Sequence, residues 1–191
     1  MRLNIGRVPE SAEFLSGETG WIPIKEPSPW IAQLLAFPIG VAAAWILVLL
    51  WAQTGTKPRL GNHVFWWVVL IIVVFIVHEI IHAIFHPRAG TSSKTIIGFW
   101  PSRVLLYAVY DDVLSRERCI VTSVAPFVII SLVPLAGAFI AGGVPGQLAF
   151  VSIFNCIVSG MDILGAGLIM FTVPRNARVR NKGCKTYYKI A

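Results

Sequence analysis

An all-α, polytopic membrane protein with four transmembrane helices is the fold class this sequence predicts, and three observations predict it. Of its 191 residues, 56% are hydrophobic and only 13% charged, with a mean hydropathy of +0.74. An ordinary soluble domain carries about 25% charged residues. Four apolar runs approach or exceed the length of a bilayer-spanning helix. The basic residues are divided very unequally between the segments that join those runs. Together these features exclude a disordered chain, a collagen and an ordinary water-soluble enzyme, and the length allows one helical bundle.

The elements follow in order. Residues 1–29 are mixed and polar, with Glu10, Glu13, Glu18 and Glu26 among them. A cleavable signal starts basic and turns apolar at once, so the first apolar run is expected to stay as an anchor. That run, 30–52, has Gln33 as its one strongly polar member and Trp30 and Trp51 near its ends as interface anchors. A loop over 54–62 leads to the second run, 64–86, which carries His78, Glu79 and His82 and is stopped by Pro87. Residues 88–118 are the long polar connection. Within it, 95–99 and 104–110 are β-branched and aromatic around Pro101 and Ser102, a pattern that fits a small β-hairpin or, alternatively, an interfacial helix. The third run, 119–141, is interrupted by Pro126 and Pro134, which with Gly137 read as ordinary membrane-helix composition or, alternatively, as a kink beside a water path. An uncharged turn at 142–146 joins it to the fourth, 147–172, and 173–191 form a basic tail. The domain organisation expected is a cytoplasmic segment 1–29, a membrane domain 30–172 and a cytoplasmic tail 173–191.

Fourteen of the sixteen basic residues fall in the amino-terminal segment, the 88–118 connection and the tail, and only Lys57 and Arg59 fall on the opposite side. That bias places both termini in the cytoplasm, and the expected setting is a prokaryotic cytoplasmic membrane. The formal charge of +7 is explained by a basic rim facing anionic headgroups of the lipid bilayer. No basic stripe is interleaved with exposed aromatics, so no nucleic acid partner is expected. Cys119, Cys156 and Cys184 form no CxxC, and their odd number argues against a disulfide framework.

Seven of the nine acids lie in the aqueous segments, whereas Glu79 and Asp162 lie inside spans. A carboxylate in hydrocarbon costs roughly 3 kcal/mol on insertion scales, so each needs a partner, and a cation is the strongest available. Glu79 belongs to His78-Glu79-Ile80-Ile81-His82, an HExxH. On a helix the two imidazoles share one face one turn apart, where they can grip a zinc ion, and the glutamate beside them can take a proton from metal-bound water. Zinc also needs a third protein ligand. Asp162 is the natural candidate: it lies about 22 Å along the fourth run from its outer end, and His78 lies about 21 Å along the second from the same side. Asn155 and Ser159 share its helix face, and Gly160 and Gly165 permit close helix approach. His86 continues the face of His78 and is the rival third ligand, though it also reads as an interfacial histidine beside Pro87. His63 reads as a loop residue, and Asp111 and Asp112 as solvated. Four histidines are too few for a membrane di-iron oxygenase.

The HExxH near the end of one span, with Asn155 and a Ser159-Gly160-x-Asp162 stretch on a later one, resembles intramembrane metalloproteases of the site-2 protease type. More closely, it resembles a small family of integral membrane proteins catalogued as zincin peptidases, in which a Ser-Arg pair also precedes a helix containing Ala-Pro, as Ser115-Arg116 and Ala125-Pro126 do here. The resemblance covers roughly residues 64–172. It implies zinc ligation by His78, His82 and Asp162, with Glu79 as the base. The function expected is a zinc-dependent membrane-embedded peptidase that hydrolyses a peptide bond near the cytoplasmic face, with Glu79 activating zinc-bound water. Asn155 or Ser159 would hold the backbone of a membrane protein or peptide substrate, or orient Asp162. A hairpin at 88–118 would offer its edge to an extended substrate. The alternatives are a non-proteolytic metal-binding scaffold and a small-solute carrier using Glu79 and Asp162 as a relay. A carrier should show paired broken helices or internal repeats, and the sequence shows neither.

Overall fold

The structure is a computed structural model that describes residues 1–10, 14, 20–56 and 64–190. Glu13, Glu18, Lys57, Arg59 and His63 lie outside the described residues.

Two short strands, β1 (Arg2–Ile5) and β2 (Ile22–Pro23), precede helix α1 (Pro29–Ala52). Proline fits the first turn of α1, where its missing N–H breaks no helical hydrogen bond. Ala36, Gly40, Ala44, Leu47 and Trp51 are its buried residues. Their spacing of three and four makes a single seam of mostly small side chains. The other faces of α1 expose Leu34, Phe37 and Trp45, and helix α2 (Val64–Phe85) exposes Phe65, Trp66 and Ile72. Apolar surface of that extent suits lipid rather than water. Among the described residues, three helices are long and apolar enough to cross a membrane, or four if one bent pair counts as a span.

Below α2 the chain reverses through a left-handed turn at Arg88, Ala89 and Gly90, with φ of 58°, 51° and 77°. Gly90 suits this turn twice over, because a Cβ there would also sit 2.4 Å from the Ala83 carbonyl oxygen. Strands β3 (Thr95–Trp100) and β4 (Leu105–Tyr110) then pair antiparallel, and β1 adds to β3 in parallel, giving the order β1-β3-β4 with β4 at one edge. Arg2 ties this sheet together through an ion pair with Asp111 at 3.1 Å.

After β5 (Leu114–Ser115), the third span runs from Arg116 to Ala141 as α3 (Arg116–Pro126), a π-helical stretch (Phe127–Leu132) and α4 (Val133–Ala141). Ser115 caps α3 by accepting the Arg118 N–H at 3.2 Å. Two arginines of its first turn reach the ends of other helices. Arg116 donates to the Met170 and Val173 carbonyls, and Arg118 to those of Phe85 and His86. Cationic donors at helix C-termini satisfy carbonyls that the helix leaves unpaired. The start of α3 thereby fixes the end of α2 against the end of the last helix.

The fourth apolar run is not the single helix expected over 147–172. It forms α5 (Gly146–Val158) and α6 (Gly160–Thr172), bent by 50° at Ser159. The bend brings backbones into contact: a Cβ on Gly160 would lie 2.3 Å from the Ala36 carbonyl oxygen, and one on Gly40 2.5 Å from that of Ile157. Gly160 thus serves close approach as expected, but Gly165 faces open space. The 173–191 segment also departs from expectation. Strands β6 (Ala177–Lys182) and β7 (Lys185–Ile190) form a hairpin within a second sheet ordered β2-β7-β6-β5. The described residues are therefore largely helical with two small sheets rather than all-α. The second sheet buries Ala177 and Val179 against Cys119, Ile169 and Val173, which explains why a basic segment folds.

Candidate metal centre

His78 and His82 lie on one face of α2, both buried. Each ring is held at Nδ1 from outside. His82 Nδ1 lies 2.8 Å from the Thr122 carbonyl oxygen, which can only accept, so Nδ1 carries the proton. That carbonyl is free because the residue four positions on is Pro126, which has no N–H to give it. His78 Nδ1 lies 2.8 Å from Asn155 Oδ1. The Asn155 amide orientation is fixed by its Nδ2, which donates to the Pro126 carbonyl at 3.1 Å and to Ser131 Oγ at 2.9 Å. Oδ1 is therefore the acceptor, and His78 Nδ1 also carries its proton. The π-helical stretch supports this arrangement, since its Ser131 carbonyl takes the Ser152 hydroxyl at 2.7 Å, and Ser152 accepts the Trp51 indole N–H at 2.9 Å.

With Nδ1 protonated, the neutral form of each ring presents its Nε2 lone pair to the same point. The two Nε2 atoms face each other at 3.1 Å, and the Asp162 carboxylate lies 3.0 Å from His78 Nε2 and 3.3 Å from His82 Nε2. Asp162 sits in the first turn of α6, where the helix dipole favours a negative charge. One ligand atom from each of the three residues lies within 4.8 Å of the others. Hydrogen-free acceptors packed this closely repel one another unless a cation lies among them. A tetrahedral zinc site with bonds of about 2.05 Å places its ligand atoms about 3.3 Å apart, so the donor set and its spacing both fit zinc.

The three residues and Glu79 line one cavity of about 500 Å³, together with β4 and part of β6. Glu79 and Ala108 of β4 both line this cavity. The pairing of β4 with β3 decides which of its backbone groups are left at the edge. Asp111 N–H donates to the Lys94 carbonyl at 2.8 Å, and alternate pairs along an antiparallel ladder exchange such bonds. Leu105, Tyr107 and Val109 therefore bond to β3, while Leu106, Ala108 and Tyr110 direct their backbone groups to the free edge.

His86 also lines this cavity, but it stands outside the three-residue cluster. Its ring centroid is 5.5 Å from that of Tyr110, and burial pushes its imidazole down to about 4, so it is neutral at pH 7. Asn155 and Ser159 are fully buried and do not line the cavity. Asn155 contacts His78 rather than Asp162, and Ser159 Oγ accepts from the Asn155 amide at 3.4 Å. Residue-type reasoning missed the Thr122 carbonyl and Ser131. The available signal for the first was a proline inside an apolar run, which always strands the carbonyl four residues before it.

A family profile described as "Putative zincin peptidase" matches residues 71–178, more than half of the chain and all three residues of the cluster. The chain belongs to that family. As a zincin-family protein it places a His-His-Asp cluster capable of coordinating a metal within a multi-helical, membrane-like fold. No match to the chain is found among curated proteins or solved structures.

Proposed function

We propose that this chain is a zinc-dependent peptidase embedded in the membrane, cleaving peptide bonds near the cytoplasmic face. The observation that carries this reading is the convergence of two imidazole Nε2 atoms and a carboxylate beside Glu79. His78, His82 and Asp162 would hold the ion. Zinc, when bound, lowers the pKa of a coordinated water toward ~7 and polarises a substrate carbonyl. Glu79 is the general base. It takes a proton from the attacking water and passes it to the leaving amine, so both protonation events use one carboxyl group. Asn155 and the Thr122 carbonyl hold the two imidazoles in their ligating tautomers, and Ser159 supports Asn155.

The basic-residue bias supports cytoplasmic termini. Both sheets then lie at the cytoplasmic end, where α1 begins and α2 ends. An extended substrate, from a membrane protein or a peptide, adds to the free edge of β4, pairing with Leu106 and Tyr110.

The test uses the purified full chain in nanodiscs and a single-span reporter peptide with a quenched fluorophore pair. Cleavage should stop on chelation and return with zinc but not with magnesium, which prefers an oxygen-rich octahedral shell. A chelated protein that retains its full rate would end the metallopeptidase reading.

The outer contacts give a second expectation. Pro126→Ala supplies an N–H that competes with His82 for the Thr122 carbonyl, and should weaken zinc binding about 10–100-fold, as read by competition with a chromogenic chelator. Unchanged affinity would mean that this carbonyl does not set the His82 tautomer.

A further inference from the structure

A second cavity, of about 160 Å³, opens between the start of α1, the middle of α6 and the turn joining β3 to β4. Ala32, Leu164, Gly165 and Leu168 give it apolar helical walls. Gly165 leaves its wall open, since a Cβ there would meet nothing within 4 Å. Arg103 stands at one end. Its guanidinium carbon lies 4.6 Å from the Trp30 ring centroid and 4.7 Å from that of Trp100. Cation–π contact engages the guanidinium face and leaves the in-plane N–H groups for an acceptor. One of them, Nη1, is buried and has no hydrogen-bond partner among the described residues, a costly state for a charged donor. Glu26 borders the same cavity, but its Oε2 accepts the Thr186 N–H at 2.8 Å.

The surroundings indicate the level at which this site meets the bilayer. Trp30 is at the first turn of a membrane-length helix and is 64% exposed. Next to Arg103, Val104 is 84% exposed at the hairpin tip. Exposed tryptophan and an apolar tip beside an arginine suit the headgroup region, where aromatic side chains and arginine anchors collect. A cation at the mouth of an apolar groove is complementary to a molecule with a phosphate at one end and a hydrocarbon chain behind it.

We propose that this groove binds an anionic glycerophospholipid. Its phosphate accepts from the Arg103 N–H edge, and one acyl chain lies along Ala32, Leu164, Gly165 and Leu168. Free phosphate would use only the mouth and would leave the apolar walls bare. Leu105 and Met161 line both this groove and the cavity of the metal centre, so a bound lipid braces the start of β4. The site stands independently of the peptidase reading.

The test is native mass spectrometry of the full chain released from nanodiscs of equimolar phosphatidylglycerol and phosphatidylcholine. Wild type should retain phosphatidylglycerol about fivefold over phosphatidylcholine. Arg103→Gln should bring the two to parity. Gly165→Leu keeps Arg103 but fills the groove, and should lower retention of both lipids. Excess inorganic phosphate should not displace the bound lipid. Parity in wild type, a preference that survives Arg103→Gln, undiminished retention in Gly165→Leu, or displacement by inorganic phosphate would each overturn the proposal.

Discussion

Asp162→Ala should purify with almost no zinc, whereas the wild type carries about one ion per chain, the stoichiometry of a mononuclear site. The carboxylate is the only acidic group of the cluster, and both of its oxygens face imidazole nitrogens, at 3.0 and 3.3 Å. Its loss leaves two neutral imidazoles, too few for a closed three-ligand set. Elemental analysis gives the ratio directly, with His78→Ala as a parallel variant. Equal zinc in all three proteins would remove the site. Metal-free wild type that still holds its cluster would point to a single shared proton as the occupant. Because metal binding adds to folded-state stability, chelation of the wild type should also lower its thermal midpoint, and chelation of Asp162→Ala should not.

Glu79→Gln separates catalysis from binding. The glutamine keeps the length and polarity of the side chain but cannot accept and return a proton. Zinc content should match the wild type, while hydrolysis of the reporter peptide falls about 10²–10⁴-fold, the usual contribution of a positioned general base. Full zinc with undiminished cleavage would show that another group takes the proton. Full zinc without cleavage in the wild type as well would favour the non-proteolytic scaffold.

Much of the centre was legible in the chain because its chemistry is costly where it sits. Two carboxylates in apolar runs need partners, and a helix brings His78 and His82 to one face whatever surrounds them. The depth comparison that set Asp162 level with His78 needed only helical rise, and the three side chains do meet within 4.8 Å. The strands at 95–100 and 105–110 carry a visible β-branched and aromatic pattern. Three features were not legible, each for a physical reason. The role of Ser131 depends on its contact with Asn155, 24 positions away. The bend at Ser159 brings Gly160 against Ala36, a residue distant in sequence. Strand β1 pairs with residues more than ninety positions away, and no local period encodes a partner at that distance.

The second sheet fixes an order of events in biosynthesis. Its inner strand β7 is flanked by β2, which leads into α1, and by β6, which follows α6. Until β7 has been made, β2 lacks its neighbour among the described residues. Every helix that contributes to the His-His-Asp cluster is therefore synthesised before this sheet can close. Nascent chains will pass through a stage in which His78, His82 and Asp162 are all present but that sheet is not yet closed.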